Sequence, residues 1–260
     1  MFNSFVALEL EEDFVFDVEA HLEAFDEHRS KPLKGSVKER YGWDNILYTE
    51  KPFIQLENDF ILRISKRFRS VAKSTLQEAL RQKKLVLAKR DPEKWGDGAK
   101  ISRNDENELA HILELELIKS CHTQFSSFCA WYSKELHILF IGSTSEGVVD
   151  SIVDLFRKTF GGFPAKRLNG NIDLSSHFTQ WLSGENLPEN VEIIDGDLVM
   201  ENRDDSKNKV RYTRQDISSE EISSNLLALK KPLQVTLVWN ESFSLLMTND
   251  LKFRKFKLLG

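Results

Sequence analysis

The sequence predicts an α+β fold: an antiparallel β-sheet core with packed helices, a helical projection and a small finger-like α/β subdomain. Three observations carry that expectation. Short runs of alternating apolar and polar residues recur in pairs about turn residues, as in Phe53 to Leu56 with Phe60 to Ile64, the period of half-buried strands joined as hairpins. A helix and a further strand follow such a hairpin, the grammar of an α+β layer. Two helical patterns joined by a loop occupy the stretch from Val71 to Lys119 and read as a projection.

In chain order, Phe5 to Leu10 alternates as a strand, and Asp17 to about His28 places Val18, Leu22 and Phe25 on one helical face. Pro32, Gly35, Gly42 and Pro52 break the next stretch, and the hairpin after it turns at Asn58-Asp59. From Ser74 the spacing of Leu76, Ala79 and Leu80 predicts a helix running to Asp91-Pro92. The loop from Asp91 to Ser102, with Trp95, Gly96 and Gly98, reads as mobile. The second helix of the projection carries Leu109, Ile112, Leu113 and Leu117 on one face, with Asp105 and Glu106 at its positive end.

Phe125 to Tyr132 and Leu136 to Ile141 form a hairpin around Ser133-Lys134. Ser143 and Glu146 read as a capping box opening a helix with Val149, Ile152, Val153 and Phe156 inward and Gly161-Gly162 past its end. Ser175 to Leu182 is a short helix, and Val191 to Ile194 with Leu198 to Met200 flank the turn Asp195-Gly196. A second capping box, Ser218 with Glu221, opens a helix bearing Ile222, Leu226 and Leu229 that Pro232 ends. Leu233 to Trp239, Phe243 to Met247 and Leu251 to Phe256 then return as strands. This divides the chain into a central sheet region (1–70, 120–170 and 232–260), the projection (71–119) and the finger (171–231).

The 260 residues are 40% hydrophobic and 30% charged, an ordinary globular composition. No run of about 20 apolar residues and no basic segment followed by an apolar core is present, so neither a membrane span nor a secretory signal is expected and the protein is placed in the cytoplasm. Cys121 and Cys129, about 26 Å apart if both lie on one strand, are read as buried thiols. The net charge of −5 excludes a surface that is basic all over, so any anion-binding role rests on local clusters. Those are Arg63, Lys66, Arg67, Arg69 and Lys73; Arg81, Lys83, Lys84, Lys89 and Arg90; Lys207, Lys209, Arg211 and Arg214; and Lys252, Arg254, Lys255 and Lys257.

Catalytic patterns are missing from the sequence. None of the six histidines has zinc-site spacing with a third ligand, no serine sits between nucleophile-elbow glycines, and Gly142-Ser143-Thr144 lacks the lysine and glycine spacing of a phosphate loop. Asp195 and Asp197 flank a turn glycine and read as turn chemistry. No metal and no cofactor are expected.

Folding accounts for the helix after Ser218 but gives Arg214 and Gln215 no task. The run Arg214-Gln215-Asp216-Ile217-Ser218-Ser219-Glu220-Glu221-Ile222 resembles the signature of the recombination-associated protein RdgC family, a basic residue followed by Gln-Asp-(Leu/Ile)-(Ser/Thr)-Ser-Glu-Glu-Ile. Further matches fall in the family's order: Gly42-Trp43, Glu78-Ala79-Leu80, Leu155-Phe156-Arg157-Lys158 with Gly161 and Pro164, and Ile172-Asp173-Leu174 with Trp181.

The resemblance implies a non-catalytic, duplex-preferring DNA-binding protein, acting at the nucleoid as a homodimer that encircles or clamps DNA and limits access of the RecA recombinase. It directs attention to Arg211, Arg214, Gln215 and Lys209 in the finger, and to Arg63, Lys66, Arg67, Arg69, Lys73, Lys83, Lys84, Lys252, Arg254 and Lys255, as groups that meet phosphates. Some relatives carry an exonuclease label, so a metal-dependent nuclease stays as an alternative, as does a protein-interaction module without DNA. Family members commonly continue with helical sequence past the last strands, whereas this sequence ends at Gly260, which leaves ring closure open.

Overall fold

The structure is a computed structural model that describes residues 2–96, 101–168 and 173–260. Gly98 of the loop expected to be mobile, Asn171 at the start of the expected finger and Ile172 of the Ile172-Asp173-Leu174 match lie outside the described residues. The elements in chain order are β1 (Phe5–Leu10), α1 (Leu22–Glu27), β2 (Glu39–Trp43), β3 (Phe53–Leu56), β4 (Asp59–Phe68), α2 (Lys73–Arg90), α3 (Pro92–Trp95), α4 (Arg103–Leu117), β5 (Gln124–Ser133), β6 (Ile138–Ile141), α5 (Glu146–Phe160) and β7 (Ala165–Arg167). They continue with α6 (Leu174–Leu182), β8 (Val191–Ile193), β9 (Gly196–Glu201), β10 (Lys209–Gln215), α7 (Glu220–Leu227), β11 (Lys231–Trp239), β12 (Phe243–Thr248) and β13 (Lys252–Leu258). Neighbouring strands pair antiparallel, which establishes the α+β class. The chain divides into two compact units, one of Met1–Phe25, Asn45–Arg63 and Phe128–Gly260, the other of Asp26–Asp44 and Ile64–Ser127.

In the first unit the hydrogen-bonded order is β10, β9, β11, β12, β13, β1, β6, β5 and the first half of β4, with β3, β7 and β8 paired to β4, β1 and β11. Alternation divides the side chains between two faces. On one, Val6 and Leu8 stand opposite Ile141 and Leu139, and Tyr132 opposite Leu139. The Phe16 ring stacks on Tyr132 at 4.2 Å and lies 4.9 Å from Phe160, tying α5 to this face. Ile152 and Phe156 of α5 are fully buried. The other face, farther along the sheet, carries a second core in which Phe178 of α6 and Ile222 of α7 pack with Leu198, Met200, Tyr212, Val235, Leu237 and Leu245.

In the second unit β2 pairs with the second half of β4 from Glu39 opposite Phe68 to Trp43 opposite Ile64. Gly42 allows the backbone of Ser30 to approach: a Cβ at Gly42 would stand 2.7 Å from the Ser30 Cα, so any other residue would force the two segments apart. Trp43 beside it is fully buried. Helices α2 and α4 are joined by an ion pair of 2.5 Å between Lys84 and Glu106. Ser102 caps α4 by accepting the Asp105 backbone N–H.

Local chemistry departs from the sequence expectations in several places. Neither capping box forms. Helix α7 starts after Ser219, whose side chain makes no cap bond, while Ser218 instead donates its hydroxyl to Asp216 at 2.6 Å. Asp216 out-competes the helix because its carboxylate reaches the Ser218 N–H two residues on, an Asx turn. Helix α5 likewise starts after Ser145, and the Ser143 hydroxyl accepts the Ser145 N–H. Leu229 lies beyond α7 at φ 58° and is exposed, so it is not on the buried stripe. The first hairpin turns at Glu57-Asn58, since Leu56 pairs with Asp59. Cys121 precedes β5 and is half-buried, and Cys129 on β5 is exposed, so the two share no strand and neither is a buried thiol.

Candidate nucleic-acid interface

Strand register places two distant cationic runs on one face of the first unit. Val6 pairs with Lys252 and Leu246 with Arg254, so Lys252 and Arg254 stand on the face opposite α6 and α7. A register shift between Ser244 and Leu246 gives β13 one extra residue, Lys255 adopts φ 53°, and Lys257 returns opposite Ser244 on the same face. From the other end of the order, Lys209 pairs with Glu201 and Arg211 with Val199, again opposite α6 and α7. Arg211, Arg254, Lys255 and Lys257 are exposed there. Alternation together with the β13 bulge therefore puts Lys209 and Arg211 on the same face as Lys252, Arg254 and Lys257, at the two ends of the stretch β10, β9, β11, β12 and β13.

Two carboxylates sit in this field. Glu201 is 8% exposed and pairs with Lys209 and Lys231, each at 3.1 Å. Burial pushes its carboxyl up, but the hydrogen bonds from Lys231 and Lys209 outweigh that and hold it below the usual carboxylate range. Asp197, at the start of β9, accepts from the Lys255 ammonium. In the hydrogen-bonded order β11 and β12 lie between β9 and β13, so this pair links strands that are not neighbours. Thr236 anchors the Asp197 backbone, accepting its N–H at 3.0 Å and donating to its carbonyl at 3.1 Å.

Arg214 and Gln215 end β10. The register shifts between Tyr212 and Gln215, and Arg214 sits at the bulge with φ 52°, a left-handed conformation that costs an arginine about 1–3 kcal/mol. The end of the strand is held by Asp195, whose carboxylate accepts the Ile217 N–H at 3.2 Å, and by Asp216 on Ser218. Arg214 is exposed and Gln215 half-buried.

The remaining candidates divide. Lys252 is held by Asp250 and Glu146 at 2.7 Å each, and Arg167 also reaches Glu146. Arg63 is half-buried on β4, where its backbone N–H donates to Pro52 O at 2.9 Å. In the second unit Lys66 lies 2.7 Å from Glu39 and over the rings of Tyr41 and Phe68. The Arg67 guanidinium covers Phe125 at 4.8 Å and donates to Ser30 Oγ at 2.8 Å. Arg69 donates to Leu33 O at 3.0 Å, Gly35 O at 3.1 Å and Thr123 Oγ1 at 3.2 Å. Lys73 and Lys83 are exposed on α2. Proximity along the chain groups these cations but does not reveal Glu201 and Asp197 as partners of Lys209 and Lys255. The alternation of β9 against β10 and β11 was the available signal for Glu201, whereas Asp197 meets Lys255 only through tertiary structure.

Among the described residues no group of three or more histidine, cysteine, aspartate or glutamate side chains has the placement to hold a metal ion, and no helix is long and apolar enough to cross a membrane. Fold and surface together define an antiparallel α+β protein with a concentrated cationic strand face on an acidic chain. The chain belongs to the RdgC family: the family model described as "Putative exonuclease, RdgC" matches residues 1–260. The recombination-associated protein RdgC of Colwellia psychrerythraea is 25% identical over 243 residues, covering 93% of this chain and 76% of that protein. Those of Shewanella putrefaciens (20% over 258 residues, 98% and 83%) and Pseudoalteromonas translucida (22% over 250 residues, 96% and 80%) are similar to it over comparable spans.

Proposed function

We propose that this RdgC-family protein is a non-catalytic, duplex-preferring DNA-binding protein that works as a homodimer clamped on DNA at the nucleoid and limits access of RecA. The observation that carries the reading is the placement of Arg211 on the same strand face as Arg254 and Lys257, with Lys209 and Lys255 on that face held by Glu201 and Asp197, in a chain whose net charge is −5. Cations on β10 and β13, at the two ends of this five-strand stretch, neutralise phosphates without reading bases, so affinity comes with low sequence specificity. Arg214 and Gln215 supply a guanidinium and an amide at the strand's end, suited to a phosphate or to a partner's finger across a two-fold axis.

The homodimer rests on α2, which runs 18 residues without a buried side chain and leaves Leu85 and Val86 about half exposed. An apolar pair on a helix of that length is suited to a second copy.

The test is a salt titration of binding to duplex DNA. Log affinity falls linearly with log salt, at about 0.9 per phosphate contact, for a total of several contacts. A flat response refutes the reading. The family model's exonuclease description keeps nuclease activity as a second reading. Labelled DNA incubated with the protein and magnesium or manganese stays intact under our proposal; loss of ends that copurifies with the protein and stops on chelation would establish the nuclease.

A further inference from the structure

We infer that Asp197 occupies a phosphate's place on the cationic face and so limits the affinity of this surface for DNA; this rests on the DNA-binding reading above. Lys255 is the one cation of that face held by a carboxylate across two intervening strands rather than by an adjacent strand or a local turn. Its side chain remains 63% exposed, so the ammonium is open to solvent on the side away from Asp197. The carboxylate is the recessed partner, 21% exposed, and its backbone is fixed on both sides by Thr236. Asp197 therefore stays in place while the lysine is free to turn.

An ammonium on a flexible stem serves one anion at full strength at a time. Whenever Lys255 closes on Asp197, it is withdrawn from a phosphate lying on the strand face. Asp197 is itself a fixed negative charge on this face and opposes the approach of a polyanion. Glu201 differs. It is almost buried between Lys209 and Lys231 and keeps two ammonium groups from facing each other, so its removal would disturb the sheet before it altered binding. The Asp197–Lys255 pair is the one that can open without such a cost.

A general charge effect and a true competition predict different results in a double-mutant cycle. If Asp197 competes for Lys255, then Lys255→Ala costs the wild type less than about twofold in duplex affinity at moderate salt, because the lysine is already engaged. In the Asp197→Asn background the same substitution costs severalfold, and Asp197→Asn alone steepens the log–log salt slope by about 0.9, one added phosphate contact. A field effect alone raises affinity in Asp197→Asn but leaves the cost of Lys255→Ala equal in both backgrounds, and that equality would overturn the inference. Unchanged affinity in a folded Asp197→Asn would overturn it as well. Wild type that fails to bind DNA even at low salt would remove the DNA-binding reading itself, a result separate from either of these. Thermal melts of all four proteins confirm that the comparison is made between folded states.

Discussion

The Lys252 ammonium lies 2.7 Å from the Glu146 carboxylate that opens α5, joining a β13 strand residue to the start of a helix elsewhere in the chain. Asp250 closes on the same ammonium at 2.7 Å and Arg167 on the same glutamate, so Lys252 is the hub of a four-residue ion network and only 16% of its side chain is exposed. A lysine that the sequence groups with phosphate-binding neighbours is, in the fold, a cross-link. Lys252→Ala is therefore expected to destabilise the protein by about 1 kcal/mol, the upper end for a networked surface pair, while changing duplex affinity little.

The pH dependence of that loss has a definite sign. Hydrogen bonds from Lys252 hold the Glu146 carboxyl below its ordinary range, and at Asp250 burial pushes the carboxyl up but Lys252 and Thr248 outweigh it. Groups with depressed folded pKa stabilise above their unfolded values, near 4, and that stabilisation disappears as pH falls through the folded values. Lys252, raised by Asp250 and Glu146, stabilises below its unfolded pKa and loses this only in alkali. The Tm gap between wild type and Lys252→Ala is thus widest near neutrality and narrows in melts run toward pH 2. A gap that stays constant across that range would reject the network as its source.

Arg69 makes a similar point in the second unit. Its guanidinium fills three hydrogen-bond positions, on Leu33 O, Gly35 O and Thr123 Oγ1. Leu33 is 5% exposed, so removing the donor leaves the Leu33 carbonyl with little access to water. Arg69→Ala should cost about 1–3 kcal/mol, the penalty for an unsatisfied buried acceptor. Chemical denaturation measures it; a change under about 0.5 kcal/mol, normal for a surface site, would return Arg69 to the pool of phosphate contacts.

At Arg214 the backbone rather than the side chain sets the tolerance to mutation. At φ 52° an alanine is strained about as much as the arginine, so Arg214→Ala with Gln215→Ala leaves Tm nearly unchanged while weakening DNA binding or dimer closure severalfold. A β-branched residue is worse placed in that conformation, and Arg214→Val should lose about 1–3 kcal/mol. Equal melting of Arg214→Val and Arg214→Ala would mean that the bulge does not hold its left-handed geometry in solution.

Much of this architecture was legible because its causes are local. Alternation in Leu233 to Trp239 and Phe243 to Met247 marks β11 and β12, whose pairing from Gln234–Thr248 to Trp239–Phe243 has no shift. Helical spacing likewise marks α5 and α4. Failures came where two local solutions compete: Asp216 takes the Ser218 hydroxyl that a capping box would use, and the Lys255 bulge adds a residue that strict alternation does not foresee. The clusters of cations were visible, but their state was not, since each lysine's partner is set by tertiary structure. Lys66, Lys84, Lys209, Lys252 and Lys255 are all engaged by carboxylates, while Arg211 and Arg254 have no ion-pair partner among the described residues.

That last difference yields the most direct comparison. Arg254 and Lys252 lie two residues apart on β13 and on the same side of the sheet, yet one is exposed without an acidic partner and the other is the hub of an ion network. A phosphate gains the full charge of Arg254, and the guanidinium can bind it through two N–H groups; at Lys252 it must first displace two carboxylates. Arg254→Ala combined with Arg211→Ala is therefore expected to lower duplex affinity severalfold and to reduce the log–log salt slope by about 1.8, or 0.9 for each contact. Stability should change by no more than about 0.5 kcal/mol, as both are exposed. If Lys252→Ala reduces the slope as much as Arg254→Ala does, ion pairing within the fold does not sort these cations, and the strand face is not the surface that meets DNA.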